Sequence, residues 1–256
     1  LPAHAPLEGD REVEALVIGG GMAGLLCAYL LKEKGISPLV IEAGRIAGGV
    51  TQNTTAKITA QHNLIYDKLC KTLGREAARQ YAGANQRAVE RFAQIIAREG
   101  IACGFERKDA YVYSAKDRDK LEREAETAAS LGLPAEFTGE VPLPGFYLGA
   151  VLFRNQAQFH PLRFLAAIAS GLDICEQTRA LALEGRSVRT DRGVIRARHI
   201  VVATHFPFFD VPGYYFARMH QERSYVLALA GAAQVPGMFI GADTEGYSLR
   251  NAGELL

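Results

Sequence analysis

Residues 15–24 read Ala-Leu-Val-Ile-Gly-Gly-Gly-Met-Ala-Gly, an aliphatic run that breaks into glycines and resumes as a helix-forming segment. No other feature narrows the fold so far. Gly19, Gly21 and Gly24 stand at the G-x-G-x-x-G spacing. In that pattern the first glycine allows a tight turn, the second lets backbone approach a pyrophosphate, and the third lets the helix pack close on the strand. Met22 and Ala23 open the helix, where free N–H groups and roughly half a positive charge favour phosphate.

The surroundings of the turn give the spacing its weight. Leu16–Ile18 is continuously aliphatic, as a parallel strand buried on both faces requires. Met22–Lys34 carries Leu25, Leu26, Leu30 and Leu31 on an apolar side, with Gly35 placed to end the helix. Pro38–Ala43 reads as the second strand, and Glu42, followed by Ala43, stands near its end. A carboxylate about 20 residues past the glycines can accept the hydroxyls of an adenosine ribose. It favours a free 2′-hydroxyl, hence FAD or NAD over NADP.

Composition sets outer bounds. With 256 residues, 48% of them hydrophobic, the chain can bury a large core in one domain or two interleaved ones. A net charge of +1, with no basic run of five, makes no electrostatic case for nucleic acid or an anionic membrane. No stretch approaches 18 apolar residues, so no spanning helix is expected. The polar start LPAHAPLEGDREVEA does not have the pattern of a secretory signal. Cys27, Cys70, Cys103 and Cys175 form no C-x-x-C pair. Free thiols, no metal site and a cytoplasmic location are expected. The chain begins with Leu and ends Gly-Glu-Leu-Leu, so both ends read as cut.

Residues 44–62 are rich in Gly, Thr and amides; they read either as a phosphate- or flavin-facing loop or as an ordinary polar one. Residues 64–99 have helical periodicity. Further strands are expected at Cys103–Ser114, Phe146–Phe153, Asp173–Leu183, His199–Thr204, Ser224–Ala230 and Met238–Ala242, with a hairpin around Asp191-Arg192-Gly193 joining 187–190 to 194–196. Helices are expected at Asp117–Leu131 and, behind Pro161, at Leu162–Ser170. This order predicts an α/β fold: a Rossmann-like dinucleotide domain interleaved with an α+β domain of mainly antiparallel sheet.

Several strings are more discriminating than the glycine turn: Thr54–Tyr66 (TTAKITAQHNLIY), Phe105–Tyr113 (FERKDAYVY), Asn155–Pro161 (NQAQFHP), Ala203–Phe208 (ATHFPF) and Arg223–Leu227 (RSYVL). With the turn and Glu42, they resemble FAD-dependent oxidoreductases of the D-amino-acid oxidase and glycine oxidase superfamily. The strings are similar to one bacterial subgroup, whose members carry a Rieske [2Fe–2S] domain after the flavoprotein part. The resemblance covers nearly the whole chain. It implies a discontinuous FAD-binding domain at 11–99 and 155–212 and a substrate domain at 100–154 and 213–256, both incomplete. Gly19, Gly21, Met22, Ala23 and Gly24 would hold the FAD pyrophosphate, and Glu42 and Ala43 the adenosine ribose. Arg45, Gly48, Gly49, Thr51, Thr54 and Thr55 would pass along the cofactor. Thr178 would lie beside the adenine, and Ala203 and Thr204 would close over the adenosine.

The chemistry the resemblance implies is oxidation of a C–N bond in an amine or amino acid, with hydride passing to flavin N5. The protein's task is then to orient the substrate, chiefly through a clamp on its carboxylate. Candidates are Arg223, Tyr225, Tyr247 and Arg250, with His62, His160 and His205 at motif positions; surface ion pairs and core packing are the competing roles. The electron acceptor is open, and a Rieske domain of the full-length protein is one candidate. The C-x-H and C-x-x-H pairs that a Rieske cluster needs are absent from this sequence. A disulfide-reductase-like flavoprotein would show a redox C-x-x-C and a second glycine fingerprint, and neither is present. An FAD-binding fragment without turnover is the alternative from a different class.

Overall fold

Residues 1–209 and 213–256 are described by the computed structural model. Along the chain run β1 (Arg11–Ile18), α1 (Met22–Glu33), β2 (Pro38–Ile41), a 3-10 turn (Val50–Asn53), β3 (Lys57–Ile58), α2 (Tyr66–Leu73) and α3 (Arg75–Arg98). Then come β4 (Glu106–Ser114), α4 (Arg118–Ser130), β5 (Ala135–Thr138), β6 (Gly149–Gln158), α5 (Pro161–Ala169), β7 (Asp173–Cys175) and β8 (Ala180–Glu184). β9 (Ser187–Thr190), β10 (Val194–Val202), a 3-10 turn (Tyr215–Ala217), β11 (Met238–Gly241) and β12 (Ser248–Leu249) complete the order.

The chain divides into two units, Leu1–Thr54 with Pro161–Tyr225, and Thr55–His160 with Val226–Leu256. The interleaving is as expected, but the junctions at residues 99/100 and 154/155 are not. Residues 55–99 fall in the second unit because the helices there bury their apolar faces on its sheet. Tyr66, Ala78 and Ala82 are at most 1% exposed and pack with Leu121, Val151 and Phe153. The expected boundary at residue 212 lies outside the described residues.

In the first unit the strand order is β7-β2-β1-β10-β9-β8. β7, β2, β1 and β10 run parallel, and β9 and β8 return antiparallel. Leu16, Val17, Leu39, Val40 and Ile41 are buried, so the centre of this sheet is covered on both faces. The helix α1 links β1 to β2, buries Leu25 and Ala28, and ends at Lys34, with Gly35 following at φ +80°. The run expected as one strand over 173–183 is two strands at opposite ends of the sheet. Gln177, a non-glycine residue at φ +49°, marks the break. Conversely, the runs expected separately at 194–196 and 199–204 form one strand, β10, which lies beside β1 from Arg11↔Ile195 to Ile18↔Val202.

The second unit has the order β12-β11-β4-β6-β3, with β5 also on β6. Its central pair, β4 and β6, is antiparallel; β11 joins β4 in parallel. Asp117 caps α4 by accepting from the Lys120 N–H at 2.9 Å. The start of α2 has no cap of its own. Glu124 of α4 supplies one, accepting from the N–H groups of Ile65, Tyr66 and Asp67 at 2.7, 2.7 and 2.9 Å. The strand expected at Ser224–Ala230 is absent. Tyr225 and Leu227 are exposed, and Leu229 exchanges backbone hydrogen bonds only with Leu256. A β-prone run without a paired neighbour does not make a strand.

Candidate cofactor site in the first unit

The glycine turn is shaped by contacts that leave no room for a side chain at two of its three positions. Gly19 adopts φ +111°, and a Cβ there would lie 2.6 Å from the Ala203 carbonyl oxygen. At Gly24 a Cβ would stand 1.9 Å from the Gly19 carbonyl oxygen. Helix, turn and β10 therefore touch backbone to backbone. Gly21 differs: its Cβ would meet only Thr51 Oγ1, at 3.4 Å. Here the missing side chain leaves open space instead of permitting a contact.

That space is part of a cavity of about 480 Å³. Gly19, Gly21, Met22 and Ala23 line it from the turn, and Glu42, Ala43, Arg45, Gly48, Gly49 and Thr51 from the loop after β2. Thr178, Ala203 and Thr204 complete the expected set. Gly24, Thr54 and Thr55 are not among the lining residues: Gly24 faces Gly19, and Thr55 begins the second unit. The sequence pattern did not point to Ile18, Ile41, Ala47, Val50, Arg179, Ala180, Phe206 or Phe208, which also line the cavity. Their signal was adjacency: each but Phe208 lies within two residues of one already singled out, and Phe208 ends the quoted string Ala203–Phe208.

The polar groups are held ready. Gly21 caps α1 without a side-chain hydrogen bond, and the first turn carries no acid, so its positive end is not neutralised from within. The Met22 N–H donates to Thr51 Oγ1 at 3.1 Å. Glu42 accepts from the N–H groups of Gly20 and Gly44, both at 2.8 Å. It thus pins the glycine turn to the following loop. Thr204 Oγ1 is buried without a hydrogen-bond partner among the described residues.

A second carboxylate, which the sequence did not single out, organises the same loop from behind. Glu176, 1% exposed, accepts from His4 N–H at 3.0 Å, Ile46 N–H at 2.7 Å and Arg45 Nε at 3.1 Å. Burial works against its charge, but these donors outweigh it and hold its carboxyl below the ordinary range. The Thr178 hydroxyl is also occupied, accepting from Leu7 N–H and donating to the Glu176 carbonyl.

The other candidates are dispersed. Arg223 and Tyr225 are exposed, and Tyr225 is not in a strand. The Tyr247 side chain is exposed, while its backbone bonds the Tyr113 hydroxyl on both sides. In the second unit His62 Nδ1 lies 2.7 Å from the Tyr81 hydroxyl; burial lowers its pKa, opposed by a bond to the Thr59 backbone. The His160 N–H donates to the Cys103 carbonyl, and His205 lines the first unit's cavity. Arg250 is half-buried. All four cysteines are free. Among the described residues no group of three or more His, Cys, Asp or Glu could hold a metal, and no helix is long and apolar enough to cross a membrane.

A parallel α/β unit with a bare glycine turn, an uncapped helix start and an acid at the end of the second strand is a dinucleotide-binding unit. Residues 14–254 match the family described as FAD dependent oxidoreductase. The chain belongs to that family, and its cofactor is FAD. It is 37% identical over 262 residues to the "Putative Rieske 2Fe-2S iron-sulfur protein YhfW" of Bacillus subtilis, covering 98% of this chain and 52% of that one. It is 24% identical over 218 residues to gamma-glutamylputrescine oxidoreductase of Escherichia coli, covering 78% and 51%. The chain thus spans about half the length of these curated relatives. Among solved structures, glycine oxidase from Geobacillus kaustophilus shares the fold with a TM-score of 0.68 at 16% identity, over 95% of this chain and 69% of that one.

The residues present fit FAD. Open space at Gly21, a first helical turn without an acid and the unpartnered Thr204 hydroxyl each suit a polar, anionic group.

Proposed function

We propose that the protein oxidises a C–N bond of an amine or amino acid with FAD as the redox group. The observation that carries the choice of bond is the similarity to gamma-glutamylputrescine oxidoreductase within the family match. When bound, FAD would supply a two-electron acceptor for oxidation at the carbon bearing nitrogen. The chain's own residues bind and orient. Gly21 would admit the pyrophosphate to the backbone at the positive start of α1, where the Met22 N–H is already engaged by Thr51 Oγ1. Glu42 uses two of its roughly four acceptor positions on Gly20 and Gly44; the others would be open to ribose hydroxyls. Thr204 Oγ1 would gain a partner from the cofactor. Thr178 contributes backbone and shape, since its hydroxyl is engaged.

The test is anaerobic reduction of the FAD-loaded protein. A panel of amines and amino acids should bleach the flavin absorbance, and matched 2-hydroxy acids should not. Bleaching by dithionite alone, with every nitrogen compound inert, would refute C–N oxidation and leave a cofactor-binding chain without turnover.

A second reading concerns where the electrons go. The 37% identity to a protein named for a Rieske cluster supports transfer to a Rieske centre in the natural protein. Protein isolated from its native host and reduced by substrate should then show a [2Fe–2S] signal by electron paramagnetic resonance; silence would refute it. A cytoplasmic setting accords with the four free cysteines.

A further inference from the structure

The residues before β1 are threaded into the back of the first unit's cofactor cradle, although they form neither helix nor strand. Leu7 is 3% exposed and shares a core cluster with Leu16, Ile18, Leu39 and Ile41. Nearer β1, Asp10 Oδ1 accepts from the Val194 N–H at 2.8 Å. A Cβ at Gly193 would stand 2.5 Å from the Gly9 carbonyl oxygen. The segment is thus fastened to the β9–β10 hairpin at one end. At the other end the Leu1 carbonyl accepts from Arg45 Nη2 at 3.2 Å.

Between these ends two backbone donors are spent on side chains behind the cavity. The His4 N–H donates to Glu176 and the Leu7 N–H to Thr178 Oγ1, both at 3.0 Å. Pro2 and Pro6 have no N–H to give and favour an extended chain. In polyproline geometry residues three apart face the same way, and His4 and Leu7 have that spacing. Neither residue lines the cavity; each acts through a side chain with a second task. Glu176 also accepts from the Ile46 N–H and Arg45 Nε, at 2.7 and 3.1 Å. It so holds the loop whose Arg45, Ala47, Gly48 and Gly49 line the cavity. Thr178 lines it directly, and its N–H donates to the Glu42 carbonyl at 2.9 Å.

We infer that residues 1–7 are a strap whose docking is coupled to FAD binding, with His4 and Leu7 as positioning residues that act on the cofactor through Glu176 and Thr178. With the strap displaced, Glu176 keeps its charge and loses a charge-assisted donor. Thr178 loses the N–H that fixes its hydroxyl, and the loop at 45–49 is held less firmly. The coupling is reciprocal: the factor that the docked strap lends to FAD affinity is the factor that FAD lends to docking. The inference concerns retention of the cofactor and is independent of which bond is oxidised.

Cofactor affinity is read by fluorescence titration of the FAD-free protein, and stability by urea denaturation of the same samples. A variant lacking residues 1–7 should bind FAD at least about tenfold more weakly. His4→Pro deletes one donor and leaves the Leu7 core contact in place; its FAD affinity should fall at least about threefold. In the parent, saturating FAD should slow amide exchange at His4 and Leu7 more than at Lys120, whose N–H is bonded within the second unit. A segment that only adds stability would move the urea midpoint and leave the FAD affinity of the folded protein as it was. Should the shortened chain fail to fold, His4→Pro and the exchange measurement decide. Parent-like FAD affinity in either folded variant, or exchange at His4 and Leu7 indifferent to FAD, would overturn the assignment.

Discussion

Alanine at Gly21 and alanine at Gly24 should have opposite consequences, although the two glycines belong to one motif. At Gly24 the new Cβ would lie 1.9 Å from the Gly19 carbonyl oxygen. An unstrained carbon–oxygen contact is about 3.3 Å, so α1 must retreat by roughly 1.4 Å. Its Leu25 and Ala28, both 0% exposed, must move with it. Overpacking of this kind costs about 3 kcal/mol. At Gly21 the backbone is extended, at φ −80° and ψ −173°, which any L-residue adopts. Its Cβ makes one ordinary contact, at 3.4 Å to Thr51 Oγ1. Stability should change by less than about 1 kcal/mol. The methyl group would, however, stand where the pyrophosphate approaches, and FAD affinity should fall at least about tenfold. Urea denaturation of the FAD-free protein and fluorescence titration with FAD separate the two effects. If Gly21→Ala binds FAD like the parent, or unfolds as easily as Gly24→Ala, the division of roles within the turn is wrong.

Thr204→Val should stabilise the FAD-free protein slightly, since it removes an unpartnered buried hydroxyl, while weakening FAD binding; thermal denaturation with and without FAD reads both. Glu176→Gln should cost about 2 kcal/mol at pH 7, because a carboxylate with three donors loses its charge. The folded-state pKa is lowered, so the Glu176 contribution is fully present above the ordinary carboxylate range and disappears as pH falls through the folded value. The stability gap between parent and variant should therefore close in acid, and a gap independent of pH would contradict this. Glu124→Ala should free the N–H groups of residues 65–67 and cost about 1–3 kcal/mol; amide exchange at those positions should accelerate first.

The cofactor side of the chain was largely legible, because its constraints are local. Gly19, Gly21, Gly24 and Glu42 lie within one strand–helix–strand passage, and each meets a contact or space that its residue type predicts. Glu176 was not legible. Its importance comes from His4 and Ile46, far away in sequence, and no periodicity marks such a residue. The helices at 66–98 were found from their spacing, but their assignment to a unit depends on burial against Val151 and Phe153. Ser224–Ala230 was misread for the complementary reason: its composition suits a strand, but among the described residues it has no strand neighbour. Lys57 donates to Ser248, 191 positions away, from the opposite end of the strand order, and no sequence pattern announces that contact.

The interleaving of the two units also bears on synthesis. β1 and β2 leave the ribosome early and can pair, but the other flank of β1 is covered by β10, whose Ile195 pairs with Arg11. The whole of Thr55–His160 is made in between. The strand that leads into the glycine turn must therefore wait with one flank unpaired, a state open to wrong partners. Closing so long a loop adds little to the equilibrium cost but slows folding. Maturation of the FAD cradle should accordingly be a late event, timed by the return of the chain at residues 194–202.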